Sequence, residues 1–364
     1  MKGRRLVPPV IAAPRIFYYA AGNFAPVGSV FNSIYLGDPM AQRIILIHGR
    51  STKPARRHHI KFQKKALLQG VARVSPAKAA KIGNQAGLDI VYYGHVCNRL
   101  LKDSKKHAAK LTAIDPDLGT PCVPHAGYDQ AINKLAALRK FGKAEYRKIL
   151  RDNKDLEWLD DAASWLSTLA SLISFNVANT LAVRFATADL GAYLTDQDIG
   201  SEIRHVLGHP LKKALLRGDD ICLISHSMGC IVAYDVLWKF SWMSEHKDVQ
   251  ESGNKIAKWI TVGCPLGEPG VKGNLYGSRK SGDQRYPANI VGDWLNIAAR
   301  DDFVAHDKRI KNDYRRMKRA GLINSITDKK IYNCYVKDGV SNPHKFYGYL
   351  AHNLTGKHIA DWIN

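Results

Sequence analysis

The stretch ICLISHSMGCIVAYDVL, residues 221–237, holds two serines with a histidine between them. Its first four residues form a short apolar run, which is typical of a strand buried on both faces. After Gly229 the apolar residues recur at helical spacing. The pattern therefore predicts a strand, then a tight turn at residues 225–229, then a helix.

One of the two serines is favoured as the apex of this turn. The backbone passes so close to itself there that the residues two before and two after the apex must be small. With Ser227 at the apex, those positions hold Ser225 and Gly229. With Ser225 at the apex, the bulky Leu223 would hold one of them. The turn alone is also compatible with a serine-rich helix cap that has no chemical role.

The turn resembles the G-x-S-x-G nucleophile elbow of α/β-hydrolases, with Ser225 in place of the first glycine. The resemblance implies that Ser227 is a nucleophile, followed along the chain by an acid and then a histidine at later strand ends. His226 resembles a residue often found at this place in lipases, and we give it no role in proton transfer. TVGCPLG, residues 261–267, resembles the V-T-x-G-S-P-L segment that follows the elbow helix in lipase-like members.

Strands alternate with helical segments along the chain, which predicts an α/β fold with a mostly parallel sheet and helices on both faces. The strands expected from apolar runs are 15–20, 29–35, 43–47, 88–93, 221–224, 259–262, 294–299 and 331–336. The helices expected beside them include 61–71, 201–217 and a closing helix at 347–363. The resemblance makes this the α/β-hydrolase fold.

The alternation of strands and helices breaks once. Between residues 98 and 200 no strand is predicted, and helical segments such as 128–141 and 157–186 are expected instead. The stretch is longer than an ordinary connection, so we interpret 98–200 as a helical cap inserted into a core made of 1–97 and 201–364. Residues 162–183 carry no charge, but their polar residues and apolar stripe favour an amphipathic helix over a membrane span.

A serine hydroxyl is a poor nucleophile at neutral pH, so it needs a histidine to take its proton and a carboxylate to orient that histidine. His344 lies in the loop after the last predicted strand, and its H-x-x-Y context resembles the usual end of the family. The resemblance therefore implies that His344 is the base. His352 and His358 are expected within the closing helix, in surface or packing roles.

The acid is expected after the strand at residues 294–299. That segment resembles the W-x-N-x-x-D-x-x-D-P-V pattern of lipase-like hydrolases, although the first Asp and the Pro of the pattern are absent here. The alignment favours Asp302. Asp301 remains a rival at the same strand end, and Glu268, after an earlier strand, is a remoter one.

The oxyanion of a tetrahedral intermediate needs two preorganised N–H donors. Met228, next to the nucleophile at the helix N-terminus, is expected to provide one. The run HGR, residues 48–50, resembles the H-G-x oxyanion loop of the family, which implies the backbone N–H of Arg50 as the second. His48 is then an orienting residue rather than a second base.

The formal net charge is +22, and basic residues crowd residues 50–110 and 308–319. Such fields attract phospholipid surfaces, nucleic acid or phosphorylated carriers, although a solvated basic surface without a partner is an equal interpretation. No zinc-finger spacing, RNA-binding signature or clear helix-turn-helix is found, which disfavours nucleic acid.

The six cysteines have no metal-ligand spacing, and no cofactor or metal is expected. We interpret the cysteines as reduced core residues, which favours the cytoplasm. No signal peptide is predicted, because the basic start is followed by a short apolar run with several prolines.

Taken with the resemblance, these features imply a serine hydrolase that cleaves a carboxylic ester with an apolar acyl chain. It would be a lipase- or phospholipase-like esterase that works through an acyl-enzyme on a small-molecule or lipid ester. Thioester hydrolysis or acyl transfer would use the same triad. A further alternative is a catalytically idle hydrolase fold that binds anionic membranes. We expect a cytoplasmic protein, with peripheral membrane contact as an option.

Overall fold

The computed structural model describes residues 41–84, 87–153, 188–305 and 307–364. The strands predicted at 15–20 and 29–35 and the helix predicted at 157–186 lie outside these residues, as does the amphipathic stretch 162–183.

Ten strands are described, and six of them form the central sheet. In chain order they are β1 (Gln42–Ile47), β2 (Leu88–Val91), β3 (Ala113–Ile114), β4 (Pro121–Cys122), β5 (Asp220–His226), β6 (Ile256–Val262), β7 (Val291–Ala299), β8 (Ser325–Ile331), β9 (Val336–Lys337) and β10 (Val340–Ser341). The central sheet has the order β2-β1-β5-β6-β7-β8, and every neighbouring pair in it is parallel. The other strands form two short antiparallel pairs, β3 with β4 and β9 with β10.

The helices follow the strands along the chain. They are α1 (Arg56–Ala72), α2 (Pro76–Asn84), α3 (Gly94–Leu101), α4 (Lys105–Ala108), α5 (Tyr128–Ala137), α6 (Lys143–Asp152), α7 (Ala188–Thr195), α8 (Gln197–Leu216), α9 (Met228–Trp242), α10 (Lys247–Ser252), α11 (Pro269–Lys272), α12 (Ile310–Asp313), α13 (Arg315–Arg319), α14 (Phe346–Ala351) and α15 (Asn353–Trp362). Short 3-10 turns lie at Ser244–His246 and Gly282–Arg285.

Both faces of the sheet are buried under helices. Successive side chains of a strand point to opposite faces, and in β1 Ile45 and Ile47 join one apolar cluster while Ile44 and Leu46 join another. Helices α8 and α9 contribute to the first cluster, and α1, α14 and α15 contribute to the second. Strands covered on both faces need apolar residues throughout, which explains their uninterrupted apolar runs. The predicted α/β fold with a mostly parallel sheet is confirmed.

The last strand of the sheet lies earlier than the sequence indicates, so the strand predicted at residues 331–336 is wrong. The strand is β8, which pairs in register with β7 and has two exposed, charged side chains, Lys329 and Lys330. Beyond it, the Asn333 side chain donates to the carbonyl oxygen of Lys345 (2.9 Å) and accepts from the backbone N–H of Tyr335 (3.2 Å). These bonds turn the apolar run that follows β8 away from the sheet.

The predicted closing helix is two helices, α14 and α15. The chain is extended at His352, where φ is −71° and ψ is 135°. The ring Nδ1 of His352 accepts a hydrogen bond from the backbone N–H of Leu354 (3.0 Å), so this histidine caps α15. His358 lies within α15, as predicted.

Part of the predicted cap is described, namely residues 98–153 and 188–200. Helix α5 packs against α1 and α14, and its Tyr128 and Ile132 belong to the same apolar cluster as Leu46 of the sheet. The pair β3–β4 also lies here, where the sequence predicts no strand. The division of the chain into a core and a cap stays a prediction.

No helix within the described ranges has both the length and the apolarity that a bilayer span requires. All six cysteines are buried, and none forms a disulfide.

Candidate active site

Ser227 lies in a strained turn between β5 and α9. Its φ of 53° and ψ of −126° fall in a region that residues with a side chain rarely occupy, and such strain concentrates at functional sites. Its backbone N–H donates to the carbonyl oxygen of Val262 at the end of β6 (3.2 Å), which ties the turn to the neighbouring strand.

Small residues around Ser227 allow the turn to close. A Cβ added to Gly229 would lie 2.5 Å from the carbonyl oxygen of the residue that follows β1, and one added to Gly49 would lie 2.6 Å from the Cβ of Ser227. Ser225 is fully buried, and its hydroxyl accepts a hydrogen bond from Nε1 of Trp259 (2.9 Å). A serine fits at this position because the adjacent strand provides a partner for its hydroxyl.

The structure brings Ser227, His344 and Asp302 into one chain of hydrogen bonds. Nε2 of His344 lies 2.9 Å from the Ser227 hydroxyl oxygen, and its Nδ1 lies 2.8 Å from Oδ2 of Asp302. With the carboxylate accepting from Nδ1–H, a neutral ring has its lone pair on Nε2. His344 can therefore accept the hydroxyl proton of Ser227.

Asp302 is fully buried, and its carboxylate accepts all of its hydrogen bonds from N–H and O–H donors. Its Oδ1 accepts from the backbone N–H groups of Val304 (3.0 Å) and Ala305 (3.3 Å). Its Oδ2 accepts from the hydroxyl of Tyr349 (2.6 Å) as well as from His344. These donors hold the carboxylate in one orientation, so that it faces the imidazole.

Tyr349 is a site residue that the sequence analysis missed. Its buried hydroxyl donates to Asp302 and accepts from the backbone N–H of Ala299 at the end of β7 (2.9 Å). The H-x-x-Y context draws attention to Tyr347 instead, which lines the cavity in front of the nucleophile. The sequence does not show which of the two tyrosines reaches Asp302. Both lie on α14, and both are buried.

Of the three acid candidates, all of them described, only Asp302 hydrogen-bonds to His344. Asp301 is exposed on the same turn. The carboxylate of Glu268 accepts from the backbone N–H of Asp307 (2.9 Å), which stabilises a separate loop.

Gly263, in the run TVGCPLG, leaves room for His344 and Asp302. Its φ is 54°, and an added Cβ would lie 3.0 Å from Cε1 and Nδ1 of His344 and 3.1 Å from Oδ2 of Asp302. Glycine is therefore required here for its backbone conformation and for the space that its missing side chain leaves.

His48 uses both ring nitrogens to hold the loop that follows β1. Nδ1 donates to the carbonyl oxygen of Gly49 (2.7 Å), and Nε2 accepts from the backbone N–H of Tyr93 (3.1 Å). Burial lowers the pKa of His48 well below its ordinary range. The ring is therefore neutral at physiological pH, and its two hydrogen bonds hold the loop that follows β1 in place.

His226 positions the loop that carries His344. Its Nε2 donates to the carbonyl oxygen of His344 (2.7 Å), and its ring stacks on Phe346 with the centroids 4.8 Å apart. Burial lowers the pKa of His226 well below its ordinary range, and the nearby His344, Lys53 and Lys345 lower it further. The ring is therefore neutral and supplies no charge to the site.

The two expected oxyanion donors are Met228, which directly follows Ser227, and Arg50, which lines the same cavity as Ser227. Met228 is the first residue of α9, where a backbone N–H has no partner within its own helix. Arg50 is held by the buried Asp189, because its Nε lies 3.1 Å from Oδ1 and the backbone N–H of Ser51 donates to Oδ2 (2.6 Å). Burial raises the pKa of Asp189, but Arg50, the Ser51 N–H and Lys53 lower it below its ordinary value. The roles of Met228 and Arg50 stay a prediction.

A cavity of about 120 Å³ opens in front of Ser227 and His344. Its wall is formed by residues from the segments 48–54 and 342–347, together with His59, Tyr128, His226 and Val304. No group of three or more histidine, cysteine or acidic residues in the part of the chain that the structure describes could hold a metal ion.

Comparison of the chain with models of protein families, with curated proteins and with solved structures finds no match.

Proposed function

We propose that the chain is a serine hydrolase of the α/β-hydrolase fold that cleaves carboxylic esters. The observation that carries the proposal is the unbroken chain of hydrogen bonds from the Ser227 hydroxyl through His344 to Asp302. Ser227 and Asp302 follow β5 and β7, and His344 lies in the loop after β10, beyond the end of β8. The carboxyl ends of the parallel strands β5, β7 and β8 share one edge of the sheet. The order of the three residues, Ser then acid then His, is the order in which α/β-hydrolases carry their triad.

The reaction follows from this geometry. The Ser227 oxygen attacks the ester carbonyl while its proton passes to Nε2 of His344, and Asp302 stabilises the resulting imidazolium. The backbone N–H groups of Met228 and Arg50 would bind the oxyanion. As the tetrahedral intermediate collapses, the C–O bond to the alcohol breaks and the alcohol takes the proton from Nε2. Water, deprotonated by His344, then cleaves the acyl-enzyme and restores Ser227.

The nature of the acyl chain depends on other residues. The apolar stripe that favours a long chain lies within 162–183, outside the described residues, so a lipase-like preference stands on the sequence alone. Peripheral contact with an anionic membrane is supported by the net charge of +22 and by Phe303, which is 44% exposed next to the catalytic acid. Thioester hydrolysis and acyl transfer would use the same triad.

The proposal is tested with p-nitrophenyl esters of graded chain length, with and without anionic liposomes. We expect hydrolysis to increase with chain length and with liposomes, and to vanish in Ser227→Ala and His344→Ala. His358→Ala is the matched control, because this histidine lies on α15 and should be dispensable for turnover. A preference for short acyl chains, with no effect of liposomes on the rate, would contradict a lipase-like substrate preference. A folded protein that hydrolyses none of the esters would contradict the proposed hydrolase activity.

A further inference from the structure

Helix α7 contacts both segments that carry the expected oxyanion donors. It spans Ala188–Thr195, and its side chains Asp189 and Tyr193 are buried. Asp189 binds the loop that contains Arg50, and Tyr193 binds α9, which begins at Met228. One short helix therefore connects the two elements that the candidate reaction needs in a fixed relation.

The carboxylate of Asp189 holds the loop that follows β1. Its Oδ2 accepts from the backbone N–H of Ser51 (2.6 Å), and its Oδ1 accepts from Nε of Arg50 (3.1 Å). Oδ1 also accepts from the backbone N–H of Leu190 (2.9 Å), so the carboxylate is oriented by its own helix. Asp189 is fully buried, and charged hydrogen bonds are stronger away from water.

Ser51 adopts a conformation that needs such support. Its φ is 77°, in the left-handed region that residues with a side chain rarely occupy. Its backbone N–H shares a peptide group with the carbonyl oxygen of Arg50, and that oxygen accepts from Nζ of Lys53. The peptide group between Arg50 and Ser51 is therefore held at one end by Asp189 and at the other by Lys53.

These bonds orient the backbone N–H of Arg50. That N–H shares a planar trans peptide group with the carbonyl oxygen of Gly49, and the two point in opposite directions. The Gly49 oxygen accepts from Nδ1 of His48 (2.7 Å), which fixes this peptide group, while Asp189 and Lys53 fix the next one. The direction of the Arg50 N–H depends on both peptide groups.

Tyr193 ties α7 to the helix that follows the candidate nucleophile. Its hydroxyl donates to Oδ2 of Asp235 (2.6 Å), and Oδ1 of Asp235 accepts from the backbone N–H of Tyr276 (2.9 Å). Asp235 lies on α9, about two turns after Met228. A displacement of α7 would therefore move the loop of Arg50 relative to Met228.

We propose that α7 sets the geometry of the oxyanion hole. Asp189 is the positioning residue for the N–H of Arg50, and Tyr193 anchors α7 to the helix of Met228. The inference rests on the hydrolase reaction proposed above and on the expected roles of Met228 and Arg50. Both side chains of α7 act through the groups that they hold, so their loss should weaken binding of the oxyanion and spare binding of an uncharged ligand.

A pair of ketone inhibitors separates these two kinds of binding. With a trifluoromethyl ketone, the Ser227 oxygen bonds to the carbonyl carbon, its proton passes to Nε2 of His344, and the ketone oxygen becomes the oxyanion of a hemiketal. The methyl ketone of the same chain length stays a ketone and reports the fit of the cavity alone. Both inhibition constants are measured beside kcat/KM for a p-nitrophenyl ester in the wild-type protein and its variants.

Asp189→Asn keeps the size of the side chain but has one acceptor oxygen, so it loses at least one bond to the loop. Removing an oxyanion donor costs about 10²- to 10³-fold in rate, and a displaced donor should cost about 10- to 100-fold. We expect kcat/KM to fall and the inhibition constant of the trifluoromethyl ketone to rise by this same factor. The inhibition constant of the methyl ketone should change less than about twofold, because it involves no oxyanion.

Tyr193→Phe removes the anchor of α7 through a single oxygen atom. It should show the same pattern with a loss of about threefold or more, because a small displacement of a donor already lowers the rate. This variant decides the question if Asp189→Asn does not fold.

Asp219→Asn is the matched control. Its carboxylate is also buried and accepts from arginine side chains, those of Arg43 (2.8 Å) and Arg217. It precedes β5 and therefore lies at the opposite end of that strand from Ser227. The variant should lose stability, measured by thermal unfolding, and change neither inhibition constant more than about twofold.

The outcomes for the variants and for the wild-type protein are distinguishable. Equal weakening of both ketones in Asp189→Asn, or an unchanged kcat/KM in the folded variant, would overturn the inference and leave the hydrolase reaction standing. A folded wild-type protein that neither hydrolyses the ester nor binds the trifluoromethyl ketone more tightly than the methyl ketone would overturn the hydrolase reaction, and the inference with it.

Discussion

Replacing Gly263 by alanine should slow the proposed reaction of Ser227 although Ser227, His344 and Asp302 all keep their side chains. The new Cβ would lie 3.0 Å from Cε1 and Nδ1 of His344 and 3.1 Å from Oδ2 of Asp302. Ordinary contacts of a Cβ begin at 3.4 Å, so the imidazole must move by about 0.4 Å to remove the overlap. Such a shift lengthens its bond to Asp302, to Ser227 or to both.

The expected loss follows from this displacement. A misplacement of about 1 Å costs on the order of 100-fold in rate, so a shift of about 0.4 Å should cost roughly 5- to 10-fold. The alanine also occupies a φ of 54°, which costs about 1–2 kcal/mol of folding free energy. The variant should therefore be slower and also somewhat less stable.

The two effects are separated by a matched control. Gly282 has a φ of 60° and no heavy atom within 4 Å of an added Cβ, so Gly282→Ala carries the strain without the collision. Both variants are compared with wild type by the second-order rate constant of fluorophosphonate labelling and by thermal unfolding. We expect a similar loss of stability in both and a slower labelling rate only in Gly263→Ala. Equal labelling rates in the two variants would refute the argument.

Three further predictions concern the candidate acid Asp302, the hydroxyl of Tyr349 that donates to it, and the buried carboxyl group of Asp235. Asp302→Asn should slow labelling by about 10⁴-fold, whereas Asp301→Asn should leave it nearly unchanged; the reverse result would identify Asp301 as the acid. Tyr349→Phe leaves the N–H of Ala299 without its acceptor and should lower the free energy of unfolding in urea by about 1–3 kcal/mol; wild-type stability would contradict this role. Burial raises the pKa of Asp235 to about 6 from an ordinary 3.8. The folded state therefore binds an extra proton between about pH 4 and pH 6, and the free energy of unfolding falls as pH rises through this window. Asp235→Asn should lack this slope, and an unchanged pH profile would contradict the assignment.

The sequence predicts the central strands well, because strands covered on both faces are nearly continuous apolar runs. This holds for β1, β5, β6 and β7. It fails at β8, an edge strand with the polar sequence SITDKKI, whose pairing is visible only in three dimensions. The apolar run that follows β8 resembles a strand, but hydrogen bonds of Asn333 turn it into a loop.

The candidate triad could be found from the sequence because its members occur in a fixed order along the chain, although most of the strand predicted before His344 is a loop in the structure. The choice between Asp301 and Asp302 could be made only by alignment, since adjacent residues differ in direction and not in type. The supporting groups could not be found. Tyr349 reaches Asp302 through the packing of α14, which is decided only in the folded chain.

The central claim is that Ser227 is a nucleophile activated by His344. It is tested most directly by treating the protein with a fluorophosphonate and mapping the adduct by peptide mass spectrometry. The account predicts one adduct, on the hydroxyl of Ser227, that is absent in Ser227→Ala and strongly reduced in His344→Ala. An adduct on Ser225, an adduct that persists in Ser227→Ala, or no adduct on the folded wild-type protein would contradict it.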